Sequence, residues 1–149
     1  MMKNEILKVS SISPPRQDDN TTQTPLYASQ PAAGFPAPGD DLVEQPLNIN
    51  DLLVKNESST FFVRVSGDSM EGARIFDGDV LVVDRAVEPK DGLIVVAAIY
   101  GELVVKRLKQ QADRLLLVSE NSKYQPIVVN DVEGCYVWGV VVGSARVFK

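Results

Sequence analysis

Leu93-Ile94-Val95-Val96-Ala97-Ala98-Ile99-Tyr100-Gly101-Glu102-Leu103-Val104-Val105-Lys106-Arg107-Leu108 is the stretch that decides the fold. Its first half, Leu93 to Ile99, is an unbroken apolar run of 7 residues, the length of a buried strand and far short of a bilayer span. Tyr100-Gly101 then interrupts it as a hairpin turn, and Glu102 to Leu108 returns with period-2 alternation. Working outward, Arg114-Leu115-Leu116-Leu117-Val118, Ile127-Val128-Val129 and Tyr136 to Val142 repeat the β-branched and aromatic pattern downstream. Upstream, Phe61-Phe62-Val63-Arg64-Val65 and Val80-Leu81-Val82-Val83 do the same, the second after an Asp77-Gly78 turn signal. About seven short strands separated by Gly, Asp, Asn and Pro clusters predict a mostly β, compact and largely antiparallel domain. One short helix is predicted near Leu47–Val54, capped by Asn50 or Asp51 and burying Leu52, Leu53 and Val54. There is no internal repeat and no heptad pattern.

Residues 1–41 read differently. Six of the nine prolines (Pro14, Pro15, Pro25, Pro31, Pro36 and Pro38) lie there among Ser, Thr, Gln, Asn and Asp. Such a segment buries too little apolar surface to offset its ordering entropy, so it is expected to be a flexible or extended arm, with 42–149 forming the β-domain. Within the arm, Ala32-Ala33-Gly34-Phe35-Pro36 is small, apolar and extended, the kind of peptide that lies in a groove. Asp40 and Asp41 are expected to keep the hinge solvated.

The 149-residue chain carries a net charge of −5, with 3 basic and 3 acidic residues in 1–33, leaving 12 and 17 in 34–149. Neither part offers a basic face to phosphate, which argues against direct DNA reading. Cys135 has no partner cysteine and is expected to be a small core hydrophobe of a reducing, cytoplasmic compartment. Lys3, Glu5 and Lys8 break up any apolar leader, and neither a signal peptide nor a membrane span is expected. Asp77-Gly78-Asp79 lacks the further ligand positions of a calcium loop and reads as a turn, so no metal is expected. Trp138 and Phe148 are assigned to the core or to a dimer interface.

The chemistry starts from an absence: the chain contains no histidine. Any serine nucleophile must therefore be activated by another base, and cysteine–histidine catalysis is excluded. Ser66-Gly67-Asp68-Ser69-Met70 follows a strand, and Gly67 permits a tight turn presenting a hydroxyl and backbone N–H groups. Lys106, 37 residues later, shares its strand face with Val104 and Leu108, while Arg107 faces the other way. An ordinary lysine, with a pKa of about 10.4, is neutral in only roughly one molecule in a few thousand at pH 7. Desolvation on an apolar face lowers that pKa, and the neutral amine is then able to accept the proton of a serine hydroxyl. Each feature has a plainer explanation, since a Gly-Asp-Ser turn is commonly only a turn and a strand lysine commonly snorkels.

Taken together and in order, these segments resemble the LexA/UmuD family of self-cleaving serine–lysine proteases, over almost all of residues 30–149. The matching parts are Ala33-Gly34-Phe35-Pro36, Ser66-Gly67-Asp68-Ser69-Met70, Asp77-Gly78-Asp79 and Val105-Lys106-Arg107-Leu108, with Ala33 lying 36 residues before Ser69. The resemblance implies Ser69 as nucleophile, Lys106 as general base, the backbone amides of Asp68 and Ser69 as oxyanion hole, and Ala33–Gly34 as the bond cut. It implies no cofactor. Only 33 residues precede that bond, and they are proline-rich without a helical pattern, so the resemblance favours the branch of polymerase accessory proteins over the repressors. That branch implies a homodimer, cutting stimulated by RecA filaments on single-stranded DNA, and a UmuC-like error-prone translesion polymerase as partner in the SOS response to DNA damage. The alternative is a non-catalytic polymerase-binding module with a little-used dyad. A signal-peptidase-like enzyme sharing the chemistry is disfavoured by the lack of an apolar span.

Overall fold

The computed structural model describes residues 6–16, 24–27, 43–121, 123–129 and 134–148. The chain divides into two compact units, one of residues 1–15 with 56–149, the other of residues 16–55. The smaller unit contains an antiparallel pair, β2 (Thr24–Tyr27) and β3 (Val43–Leu47), followed by the helix α1 (Ile49–Leu53). Asn48, not Asn50 or Asp51, caps α1: its side chain accepts a hydrogen bond from the Asn50 amide at 2.8 Å. The helix buries no residue. Leu52 is exposed, so the expected apolar face is not a core face.

The larger unit holds β1 (Lys8–Ser13), β4 (Thr60–Ser66), β5 (Val80–Asp84), β6 (Ile94–Ile99), β7 (Glu102–Gln111), β8 (Arg114–Val118), β9 (Ile127–Val128) and β10 (Tyr136–Ala145). Their order is β1-β4-β5-β10-β6-β7-β8-β9, and an extra β1–β7 pairing closes six of them into a barrel from which β8 and β9 extend. Every pairing is antiparallel. All seven strands expected from the sequence are present.

The 93–108 stretch forms the hairpin predicted for it. Tyr100 and Gly101 both take positive φ, 51° and 79°, as a two-residue turn matched to strand twist requires. Both faces of this hairpin are buried, which explains the continuous apolar run. Val96 and Val105 join Val63, Val65, Leu81 and Val83 in one core cluster, while Val95, Ala97, Val104 and Leu108 join Leu117 and Val140 in a second. Trp138 packs on the first cluster, 5.4 Å from Phe61 between ring centres. Phe148, by contrast, is 86% exposed and serves no core. Cys135 lies half-buried against the second cluster, and burial pushes its thiol pKa up.

Two strands fall inside residues 1–41, which the composition assigns to one flexible arm. For β1 the reason is visible in its bonding. It is a mostly exposed strand held by backbone hydrogen bonds to β4, with Leu7 just before it fully buried. A polar sequence satisfies that arrangement, because the edge of β4 supplies the partners and one leucine supplies the anchor.

Candidate active site

β4 ends at Ser66, and Gly67 turns the chain with φ +118°, a conformation that L side chains rarely adopt. Space adds a second constraint. A Cβ at position 67 would lie 2.5 Å from the Ile6 carbonyl oxygen and 2.9 Å from the Leu7 Cα. The turn is braced by Asp77, whose carboxylate accepts the Gly67 amide at 3.0 Å. The Asp77-Gly78-Asp79 segment is thus a support for the serine turn, and no group of three or more metal-ligating side chains occurs among the described residues. Asp79 is itself buried: Arg146 grips it through two hydrogen bonds of 2.6 and 2.9 Å, holding its carboxyl below the usual range, with the Phe76 amide adding to the effect against the cost of burial.

Ser69, 0% exposed, follows on this turn. Its Oγ accepts a 2.8 Å hydrogen bond from the Leu7 amide. The Leu7 carbonyl in turn accepts from the Val105 amide at 3.0 Å, so one residue bridges the serine turn and the strand carrying Lys106.

Lys106 is 2% exposed and heads the fully buried side chains in size. Alternation along β7 puts it beside Val104 and Leu108 in the second cluster, as expected. Its Nζ donates to Ser119 Oγ at 2.6 Å and stands 5.5 Å from the centre of the Tyr124 ring. No ion pair to a carboxylate involves Lys106 among the described residues. The ring favours the ammonium form, whereas desolvation by burial penalises it and lowers the pKa below the ordinary lysine value. Arg107, the next residue, pairs with Glu120 instead.

Ser69 and Lys106 therefore share a neighbourhood through Leu7 without a hydrogen bond between them: one hydroxyl is held by a backbone amide, the amine by another hydroxyl. Ser119 is a site residue that the sequence reading misses. Its signal is the β7–β8 register, in which Arg107 faces Val118 and Gln111 faces Arg114. Extending that register by one pair sets Ser119 opposite Lys106. Ala33 and Gly34 lie outside the described residues, as do Ala32, Phe35, Pro36, Asp40 and Asp41.

The Peptidase S24-like family model matches residues 25–142, and the chain belongs to that family, a family of serine peptidases. Protein MucA of Salmonella typhimurium is 44% identical over 121 residues, covering 80% of this chain and 82% of that protein. Protein ImpA of Escherichia coli is 48% identical over 94 residues, 63% of this chain and 64% of that protein. The LexA repressor of Bordetella parapertussis is 37% identical over 115 residues, 77% of this chain but 53% of the repressor. Within the family the chain is UmuD-like. No helix among the described residues is long and apolar enough to cross a membrane.

Proposed function

We propose that Ser69 and Lys106 are a serine–lysine dyad that cuts this chain's own Ala33–Gly34 bond. The observation that carries the reading is Lys106: a buried lysine without a carboxylate partner and with a lowered pKa is costly to a fold, yet suited to act as a base. Neutral Nζ would take the Ser69 proton as Oγ attacks the Ala33 carbonyl carbon, with the negative oxygen held by the amides of Asp68 and Ser69. Collapse breaks the C–N bond, and the Lys106 ammonium returns the proton to the departing Gly34 amine. Water then hydrolyses the acyl-serine by the same base, releasing residues 1–33 with a carboxylate end.

Family membership supports the wider role: an SOS-response protein that forms a homodimer, is stimulated to cut by RecA filaments on single-stranded DNA, and in trimmed form serves a UmuC-like error-prone translesion polymerase in the cytoplasm. A second reading, a polymerase-binding module whose dyad is little used, is favoured by the separate hydrogen bonds of Ser69 and Lys106.

Mass spectrometry after incubation with RecA filaments, and in parallel at alkaline pH without RecA, separates the two. A fragment starting at Gly34, absent from Ser69→Ala and Lys106→Ala, is expected. The rate should climb with pH as Lys106 loses its proton. Cutting that persists in either variant, or a rate flat from neutral to strongly alkaline pH, refutes the dyad.

A further inference from the structure

A nucleophile with no exposed surface cannot be reached by the carbon it attacks, so whatever lies over Ser69 governs access to it. Leu7 lies against Ser69 itself, and Ile6 against the glycine two residues before it. The Leu7 amide occupies the Ser69 Oγ, its carbonyl is tied to Val105, and the Ile6 carbonyl crosses Gly67 so closely that no side chain fits beneath it. We propose that the gap between β4 and β7 is a strand-accepting peptide site, that Ile6–Ser13 is its resident occupant, and that this occupant leaves before a scissile peptide reaches Ser69. The inference rests on the reading of Ser69 as the nucleophile.

Three further observations support it. Both flanking strands present edges to β1: β4 pairs with it from Lys8 to Ser13, and β7 pairs with it at Lys8 alone. Beyond Lys8 the strand diverges from β7, leaving a cleft of about 460 Å³ between Lys8, Ser10 and Ile12 on one side and Gly101, Glu102 and Leu103 on the other. The strand is also lightly anchored. Leu7 is fully buried and Val9 partly so, whereas Lys8 and residues 10–13 are exposed, and Lys8 reaches Glu102 only through a surface ion pair of 3.3 Å. The site thus takes an extended peptide through main-chain bonds to two edges, with one deep pocket for a leucine-sized side chain. Beyond Lys8 the strand is held along its β4 edge alone, and that is the end from which it would begin to peel.

The test uses the full-length chain and its Leu7→Asp variant, with folding checked by circular dichroism. The first readout is binding of a dye-labelled peptide reproducing residues 4–15. The second is release of the 1–33 fragment at alkaline pH. Leu7→Asp destabilises the resident strand, so the labelled peptide should bind the variant roughly tenfold more tightly than the wild type, whose site is already filled. Fragment release should accelerate by a similar factor, and unlabelled peptide should slow it again. Binding no tighter than to the wild type, or release no faster in a folded variant whose parent does cut, overturns the proposal. Should Leu7→Asp fail to fold, Leu7→Ala gives the same two readouts with a milder change. Cutting that continues in Leu7→Asp combined with Ser69→Ala, or no cutting in any protein, brings down the dyad reading instead. In those cases the peptide titration alone decides whether the strand is an exchangeable occupant.

Discussion

Lys106 shows most sharply what a single buried residue costs a fold, a cost that the proposed dyad would turn to chemistry. Its depressed pKa means that, between the folded and unfolded values, the unfolded chain holds a proton that the folded chain lacks. Stability therefore rises with pH across that window, and the cost of burial is complete below it. Lys106→Met should accordingly stabilise the protein by about 1 kcal/mol or more at neutral pH, with the gain shrinking as the solution becomes alkaline. Denaturant titrations of both proteins at neutral and alkaline pH measure it, and a destabilised variant at neutral pH contradicts the account. In the proposed dyad, Ser119 would act through Lys106 as a positioning residue. Its hydroxyl accepts from the amine and so favours the ammonium, and removing it should lower the pKa further while releasing the side chain. Ser119→Ala is expected to cut about tenfold more slowly at its plateau, with the midpoint of the pH–rate profile moved to lower pH and restored by Ser119→Thr. A change in melting temperature with an unmoved midpoint would leave Ser119 a structural residue only.

At the scale of elements, strands β4 to β10 are legible because β-branched and aromatic runs stand between Gly, Asp, Asn and Pro clusters, and in the 93–108 hairpin both faces are buried. The position of Lys106 on the face of Val104 and Leu108 is legible from strand alternation. β1 was not legible: Lys8-Val9-Ser10-Ser11-Ile12-Ser13 has little apolar content, and its order comes from edges of other strands that no local pattern announces. Ser119 was obscured for a related reason, since its partner is set by the turn at Ala112-Asp113, where Ala112 takes a positive φ that its residue type does not advertise. The cap of α1 slipped by two residues, from Asn50 to Asn48, because all three of Asn48, Asn50 and Asp51 are competent caps and the helix has no buried face to fix its phase. The junction between the β4–β5 connection and the end of β10 gives a prediction of its own. Arg146 reaches Asp79 from just beyond β10 and lies over the Phe76 ring, 4.3 Å from its centre. The depressed Asp79 pKa contributes stability that is present above the unfolded value and lost as pH falls through the folded one. Asp79→Asn should thus lower the melting temperature at neutral pH and converge on the wild type in acid. Parallel melting curves with a constant gap at all pH values would count against this pairing.

For the whole molecule, charge and connectivity pull apart. Residues 1–33 carry three charges of each sign, so removing them leaves the −5 of the remainder untouched. A switch built on that removal works by shape and not by field, and the salt dependence of partner binding should be the same for the full and trimmed forms. Connectivity changes far more. β1 lies wholly on the fragment that a cut after Ala33 would detach, yet it is the strand that closes the barrel between β4 and β7. While the chain is whole, that strand faces its own gap at an effective concentration on the order of millimolar. Once the bond is broken, the same contacts join two molecules, and their persistence depends on dilution. Gel filtration of cut protein at successively lower concentrations should show the 1–33 fragment co-eluting at first and then lost, while its retention at every dilution would contradict this picture. Severing and final release are then separate events with separate clocks, the first chemical and the second a matter of how crowded the solution is. A strand that lifts for the cut and re-seats after it leaves the protein cut but closed.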